Sequence, residues 1–133
     1  MSTAASPMMD LANQLAALCR EGKNLEAIEK LYADDIVSTE VMGTPEMPAR
    51  MEGKDAIKGK NQWWFENHEI HGGDVQGPFP HGDQFILAFS YDMTPKCGPM
   101  NGQRGQMQEC GLYTVRDGKI TEEKFFYHMP GQG

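Results

Sequence analysis

Basic clusters are missing from this chain. Its 19 aspartates and glutamates outnumber 12 lysines and arginines, giving a formal net charge of −7 and a pI near 5.0. With no basic stripe, a nucleic-acid backbone or an anionic membrane is a poor partner. Cysteine is scarce too. Cys19, Cys97 and Cys110 form neither an even set nor a CxxC pair, which argues against a disulfide framework or a thiolate zinc site and for a reducing cytoplasm. No run approaches the roughly 18 apolar residues of a membrane span. The opening MSTAASPMMD lacks the basic start and apolar stretch of a signal peptide. What remains reads as a soluble cytoplasmic chain of 133 residues, 39% hydrophobic, enough for one packed domain and too few for two.

Along that domain, helices precede strands. Ser6-Pro7 suits a helix start, and Met8, Leu11, Leu15 and Leu18 follow on one face until Gly22. Asn24 is a candidate cap for a second helix carrying Leu25, Ile28, Leu31 and Tyr32, which ends at paired aspartates. Ile36 to Met42 reads as a strand and 43–53 as a loop with two prolines. A third helix begins near Lys54, places Ile57, Asn61 and Trp64 on one face, and stops before Gly72-Gly73. Strand-like runs follow at Val75–Phe79, Phe85–Thr94, Gln106–Val115 and Lys119–His128, separated by turn material. This order predicts an α+β fold with three N-terminal helices on one face of a curved, mainly antiparallel sheet. The domain is expected over residues 7–130, after a flexible terminus at 1–6.

The turn at Arg116-Asp117-Gly118 decides which side chains share a face. A two-residue loop would pair Leu112 with Glu123 and put Glu109 on the opposite side. A three-residue loop would pair Gly111 with Glu123 and Glu109 with Phe125. The second register groups Met107, Glu109, Gly111, Tyr113, Glu123, Phe125 and Tyr127 on one face, and is favoured because it brings the bulky aromatics together.

Taken in order, NLEAIEKLYADDIV, GKDAI, GDQFILAFSYD and YTVRDGKITEEKFFY resemble the nuclear transport factor 2-like superfamily, in its SnoaL-like and ketosteroid-isomerase-like branch. The resemblance implies a cone-shaped, cystatin-like fold around a mostly apolar pocket, with homodimerisation through the outer sheet face. In ketosteroid isomerases a carboxylate just after the first strand is the general base, and the spacing from LYADD places Glu40 there. The oxyanion tyrosine of the first helix falls near Ala16, the protonated aspartate near Gly111, and the supporting tyrosine near Asn61. An oxyanion donor is worth on the order of 3 kcal/mol, so steroid isomerisation by that mechanism is disfavoured. SnoaL-like cyclases act on an acidic C–H with a pocket aspartate and histidine; Glu123 or Glu109, with or without His128, are stand-ins without a clean match.

Each candidate has a plainer reading beside it. Glu40, if turned inward beside Ile36, would be desolvated into a usable base; otherwise it is a strand-end carboxylate, solvated or paired with Arg50 or a lysine. Glu109 and Glu123, if both face the pocket, would push each other's pKa apart and give an acid and a base; otherwise TEEK is a solvated strand end. Tyr127 and Asn61 are candidate polarising donors. Tyr32, Trp64, Phe89, Tyr91, Tyr113 and Phe125 are expected to line the ligand site, although packing alone would account for them. Trp63 would cover a dimer seam or the pocket mouth. His68-Glu-Ile-His71 lacks a third ligand, so no metal is expected, nor any cofactor; Cys97 and Cys110 lack a nearby histidine for thiol catalysis. The ten methionines suit a soft apolar ligand. The expectation is therefore binding of a small apolar or aromatic molecule, with cofactor-free acid–base chemistry next to a carbonyl, of isomerase or cyclase type. The alternative is a non-catalytic binding or interaction module.

Overall fold

In a computed structural model, residues 6–44 and 47–128 are described. Part of the expected flexible terminus (1–5), two loop positions (45–46) and the expected end of the domain lie outside the described residues. The first helix, α1 (Pro7–Arg20), starts where Ser6 caps it, its hydroxyl accepting from the Met9 amide at 3.1 Å. Gly22, at φ 73°, supplies the left-handed step after the helix end. Leu11, Ala12, Leu15 and Ala16 are its buried stripe.

The second helix, α2 (Asn24–Leu31), has Lys23 at its cap position with no side-chain cap bond. Asn24 does not cap: its amide points to the Cys19 sulfur at 3.8 Å. The paired aspartates do not end the helix either. Strand β1 (Tyr32–Thr39) begins before them, and its pairing with the last strand breaks between Tyr32 and Val37. That irregularity leaves Asp34 and Asp35 both exposed while Tyr32 and Ile36 stay buried. A regular strand would have turned one of two adjacent carboxylates inward, at a large desolvation cost.

A short strand, β2 (Arg50–Glu52), lies within the segment expected to be loop and pairs with β1. Helix α3 (Lys54–Glu66) follows, then β3 (His68–His81), β4 (Gln84–Pro95), β5 (Gly105–Arg116) and β6 (Lys119–Phe126). The sheet order is β2-β1-β6-β5-β4-β3, with β1 and β6 parallel and every other pair antiparallel. The fold is the three-helix, curved-sheet α+β arrangement of cystatin-like proteins. Among the described residues no helix is long and apolar enough to cross a membrane.

The β5–β6 hairpin departs from the favoured register. Its loop is two residues, Asp117 at φ 52° and Gly118 at φ 76°, closing between Arg116 and Lys119. The extra residue sits instead in β6: Val115 pairs with Ile120 and Thr114 with Glu122, leaving Thr121 as a bulge. Glu123 consequently faces Tyr113, and Phe125 faces Gly111. These pairings are two residues from the expected ones, so the strand faces are the same although the partners differ.

Gly111 has a specific reason to be glycine. A Cβ there would stand 2.8 Å from the Tyr113 ring, which folds back over the empty position. Tyr113 also stacks on Phe85, with ring centroids 5.0 Å apart. Phe85, Leu87, Phe89, Tyr113, Val115 and Ile120 form the sheet side of the core, against the α1 stripe, Ile28 and Ile57.

Candidate functional site

The concave face carries a chain of polar groups joining three elements. Alternation along β1 turns Ser38 inward after Ile36 and brings Glu40, just past the strand, to the same side. The bulge at Thr121 turns Glu123 inward opposite Ser38. On α3, Lys60 lies one turn from Ile57 on the face that packs inward.

At its centre Glu123 is 1% exposed. Its Oε1 accepts a short hydrogen bond from the Tyr32 hydroxyl, and its Oε2 accepts from Ser38 Oγ at 2.7 Å. Lys60 Nζ donates to Ser38 Oγ at 2.6 Å and to Glu40 Oε2 at 2.9 Å, and lies 3.8 Å from Glu123 Oε2. The Tyr127 hydroxyl donates to Glu40 Oε1 at 3.0 Å. The Phe125 ring lies 5.2 Å from Lys60 Nζ, an additional cation–π contact. Burial raises the Glu123 pKa above the usual carboxylate range, partly offset by Lys60, Tyr32 and Ser38. Burial raises the Tyr32 and Tyr113 hydroxyls as well, with Glu123 adding to both.

Glu109 lies outside this chain. It faces Phe89 in the β4–β5 register, on the same face as Gly111 and Tyr113, and is partly buried. It makes no hydrogen bond or ion pair among the described residues. Its pKa is pushed up to about 8, first by burial and then by the Glu40 carboxylate, with Lys60 opposing. A carboxyl so placed holds its proton at neutral pH and can donate it.

Exposure divides the concave face into two ends. Phe85, Leu87, Tyr113 and Glu123 are buried, whereas Glu40, Trp64, Tyr91, Met107, Glu109, Phe125 and Tyr127 are partly exposed. The second group forms the rim through which a ligand would enter. Trp64 stacks on His68 with centroids 4.5 Å apart and tilts against Tyr91 at 5.3 Å; Phe89 stacks on Tyr91 at 6.2 Å. Two surface hollows of about 460 and 410 Å³, beside Glu29 and Lys58 and beside Leu25 and Phe65, include none of these residues.

Several expected residues fall into different roles. Glu123 is enclosed, with both oxygens engaged, and anchors the polar chain. Tyr32, expected in the ligand lining, is buried as the partner of Glu123. Asn61, expected as a polarising donor, gives one amide N–H to the Ile57 carbonyl of its own helix at 3.2 Å. Glu40 has a lysine partner, but the lysine is Lys60, and Arg50 pairs with Glu52. The desolvated carboxyls are Glu123 and Glu109. Trp63 is 44% exposed. His68 and His71 engage the Trp64 carbonyl and Thr94 separately, and among the described residues no three His, Cys, Asp or Glu cluster to hold a metal. All three cysteines are free, and burial pushes the Cys19 thiol up to about 12. Lys60 and Ser38 were missed; the signal was a lysine at helical spacing between Ile57 and Trp64, and a serine alternating with Ile36 and Glu40.

This fold and acidic concave face define a class, the cone-shaped α+β domains with three helices on a curved sheet. The chain belongs to the SnoaL-like domain family, whose model matches residues 7–127. A structure from Mesorhizobium loti, assigned as a SnoaL-like polyketide cyclase, is 50% identical with TM-score 0.82, covering 90% of this chain and 98% of that one. A Catenulispora acidiphila protein with a ketosteroid isomerase-like fold, in complex with trimethylamine, is 21% identical with TM-score 0.68, over 90% and 86% of the two chains. A Xanthomonas campestris protein of unknown function with a cystatin-like fold is 14% identical with TM-score 0.72, over 92% and 91%. The last two bear on the fold alone. No protein of curated function matches the sequence.

Proposed function

We propose that this protein binds a small, largely apolar carbonyl compound at the rim of the cone and moves a proton beside the carbonyl without a cofactor. One observation carries the reading: an ion-paired carboxylate, Glu40, and an unpartnered carboxyl raised to about 8, Glu109, share an aromatic concave face. A carboxylate held by an ammonium beside a carboxyl whose pKa burial has raised is an arrangement suited to a base and an acid. Glu40 takes the proton from carbon, and the C–H electron pair becomes the enolate. Glu109, still carrying its proton, donates a hydrogen bond to the developing oxyanion; the proton then returns from Glu40 to carbon. Glu109 thus supplies the donor that Ala16 and Gly111 do not. It lies two residues before Gly111 on the same strand face.

Proton–deuterium exchange of β-tetralone, an uncharged bicyclic ketone, tests the reading. Wild type should accelerate exchange, and Glu40→Gln and Glu109→Leu, which has no donor to offer, should each lower that acceleration on the order of 10²-fold or more. Unchanged exchange in either variant would remove that residue from its role, and no exchange in wild type would leave a binding function.

A second copy of the chain is proposed to cover the outer sheet face. Phe79, Ile86 and Phe126 are exposed there, with Leu112 beside Ile86 and Cys110 beside Phe126 in the register. Sedimentation at micromolar concentration should give a dimer; a monomer would overturn the assignment.

A further inference from the structure

Lys60 is among the few charged groups of the chain that are buried, and it is the only residue touching both Glu40 and the buried Ser38–Glu123 pair among the described contacts. A buried ammonium with three donors needs acceptors on more than one side. Here Ser38 Oγ takes one donor at 2.6 Å and Glu40 Oε2 another at 2.9 Å. Glu123 Oε2 adds charge at 3.8 Å, and the Phe125 face closes a further side at 5.2 Å. Ser38 is itself fixed, because its hydroxyl donates to Glu123, whose other oxygen is held by Tyr32. The ammonium is therefore immobilised from the enclosed end of the cone and reaches Glu40 at the rim.

We propose that Lys60 is a positioning residue: it clamps Oε2 of Glu40 and thereby presents Oε1, on the Tyr127 side, to a bound ligand. This rests on the reading of Glu40 as the base. The clamp separates two jobs that one lysine could do. Neutralising Glu123 is a matter of stability, whereas holding Glu40 is a matter of geometry. Without Lys60 the carboxylate is held, among the described residues, by Tyr127 alone and can swing about that one hydrogen bond; a misplacement of about 1 Å can cost on the order of 10²-fold.

The discriminating protein is the double variant Lys60→Met with Glu123→Gln, compared with wild type and Lys60→Met. Lys60→Met alone leaves Glu123 buried and uncompensated, and is expected to lower Tm sharply or fail to fold. The double variant removes both buried charges: the amide oxygen still accepts from Tyr32, the amide N–H donates to the Ser38 oxygen that Lys60 no longer occupies, and most of the Tm should recover. If Lys60 positions Glu40, kcat for β-tetralone exchange in the double variant stays about 10²-fold below wild type with KM little changed. Return of wild-type kcat with the recovered Tm would overturn the proposal and leave Lys60 a counter-ion. The orientation of the Glu40 carboxylate, without substrate, separates this from the reading it rests on. A crystal structure of the double variant serves that purpose: a Glu40 carboxylate turned from its wild-type orientation supports the clamp even where wild type shows no exchange, and an unmoved carboxylate overturns it even where wild type is active.

Discussion

At the enclosed end of the cone Glu123 is met by Tyr32, Ser38 and the Lys60 ammonium, whereas on the neighbouring strand Glu109 meets no polar partner among the described residues. Both carboxyls have raised pKa values, and burial is the first cause in each. What differs is satisfaction. Both oxygens of Glu123 are engaged by the fold, so its raised pKa is a by-product of structure. Glu109 stands among aromatic side chains with its capacity unspent, so its raised pKa is available to a ligand. A perturbed pKa alone does not identify a reactive group; a perturbed pKa with an unused hydrogen bond is a better guide.

Breaking the enclosed end should have the largest effect. Glu123→Ala strands the Tyr32 and Ser38 hydroxyls and leaves Lys60 without its buried counter-charge, and should cost about 3–5 kcal/mol in urea unfolding. A loss below about 1 kcal/mol, the range of surface pairs, would mean that this end is solvated and the contrast between the two ends is false.

Replacing Glu109 should leave the fold intact and act on chemistry and on pH dependence. Its donor role predicts a loss of about 10²–10³-fold in exchange for Glu109→Leu, which has no N–H or O–H to offer. The unfolded carboxyl titrates near 4.5 and the folded one near 8, so between those values the unfolded state gives up a proton that the folded state keeps. Wild-type stability should therefore fall as pH rises through that window, with the full penalty present above about 8. Tm measured against pH should fall less steeply in Glu109→Gln. Some slope should survive, because Glu123 is shifted in the same direction. An identical slope in both proteins would sink the assignment of an uncharged Glu109.

The smallest effect is expected at Gly111→Ala, between the two ends. The added methyl would meet the Tyr113 ring at 2.8 Å and force it from its stack on Phe85, a cost of about 1–3 kcal/mol in thermal unfolding. No change in Tm would show that the ring is free to move and that the boundary between the ends is soft.

The order of elements, the α1 cap at Ser6 and the helix from Lys54 were legible in the sequence because caps, spacing and turn glycines are local signals. The start of β1 was not. An exposed Asp34-Asp35 pair reads as a helix end, and only pairing with β6 shows it as an irregular strand. At the site, Glu40 and Glu109 could be nominated from strand alternation. The role of Glu123 could not, because it depends on Tyr32, 91 residues away, and on Ser38, 85 residues away. Lys60 was hidden for a simpler reason: a lysine on a helix reads as solvated until the carboxylates around it are known.

The bulge at Thr121 bears on how such chains tolerate gaps. Val115 pairs with Ile120 and Thr114 with Glu122, so a chain one residue shorter, lacking Thr121, would close the same hairpin as a regular ladder. Ile120, Glu123 and Phe125 would keep their partners across β5. A one-residue deletion between Glu122 and Phe125 would instead send the following side chains to the opposite surface and separate Tyr127 from Glu40. Thr121 is therefore a spacer that an alignment can skip, while the five residues after it form an indivisible word.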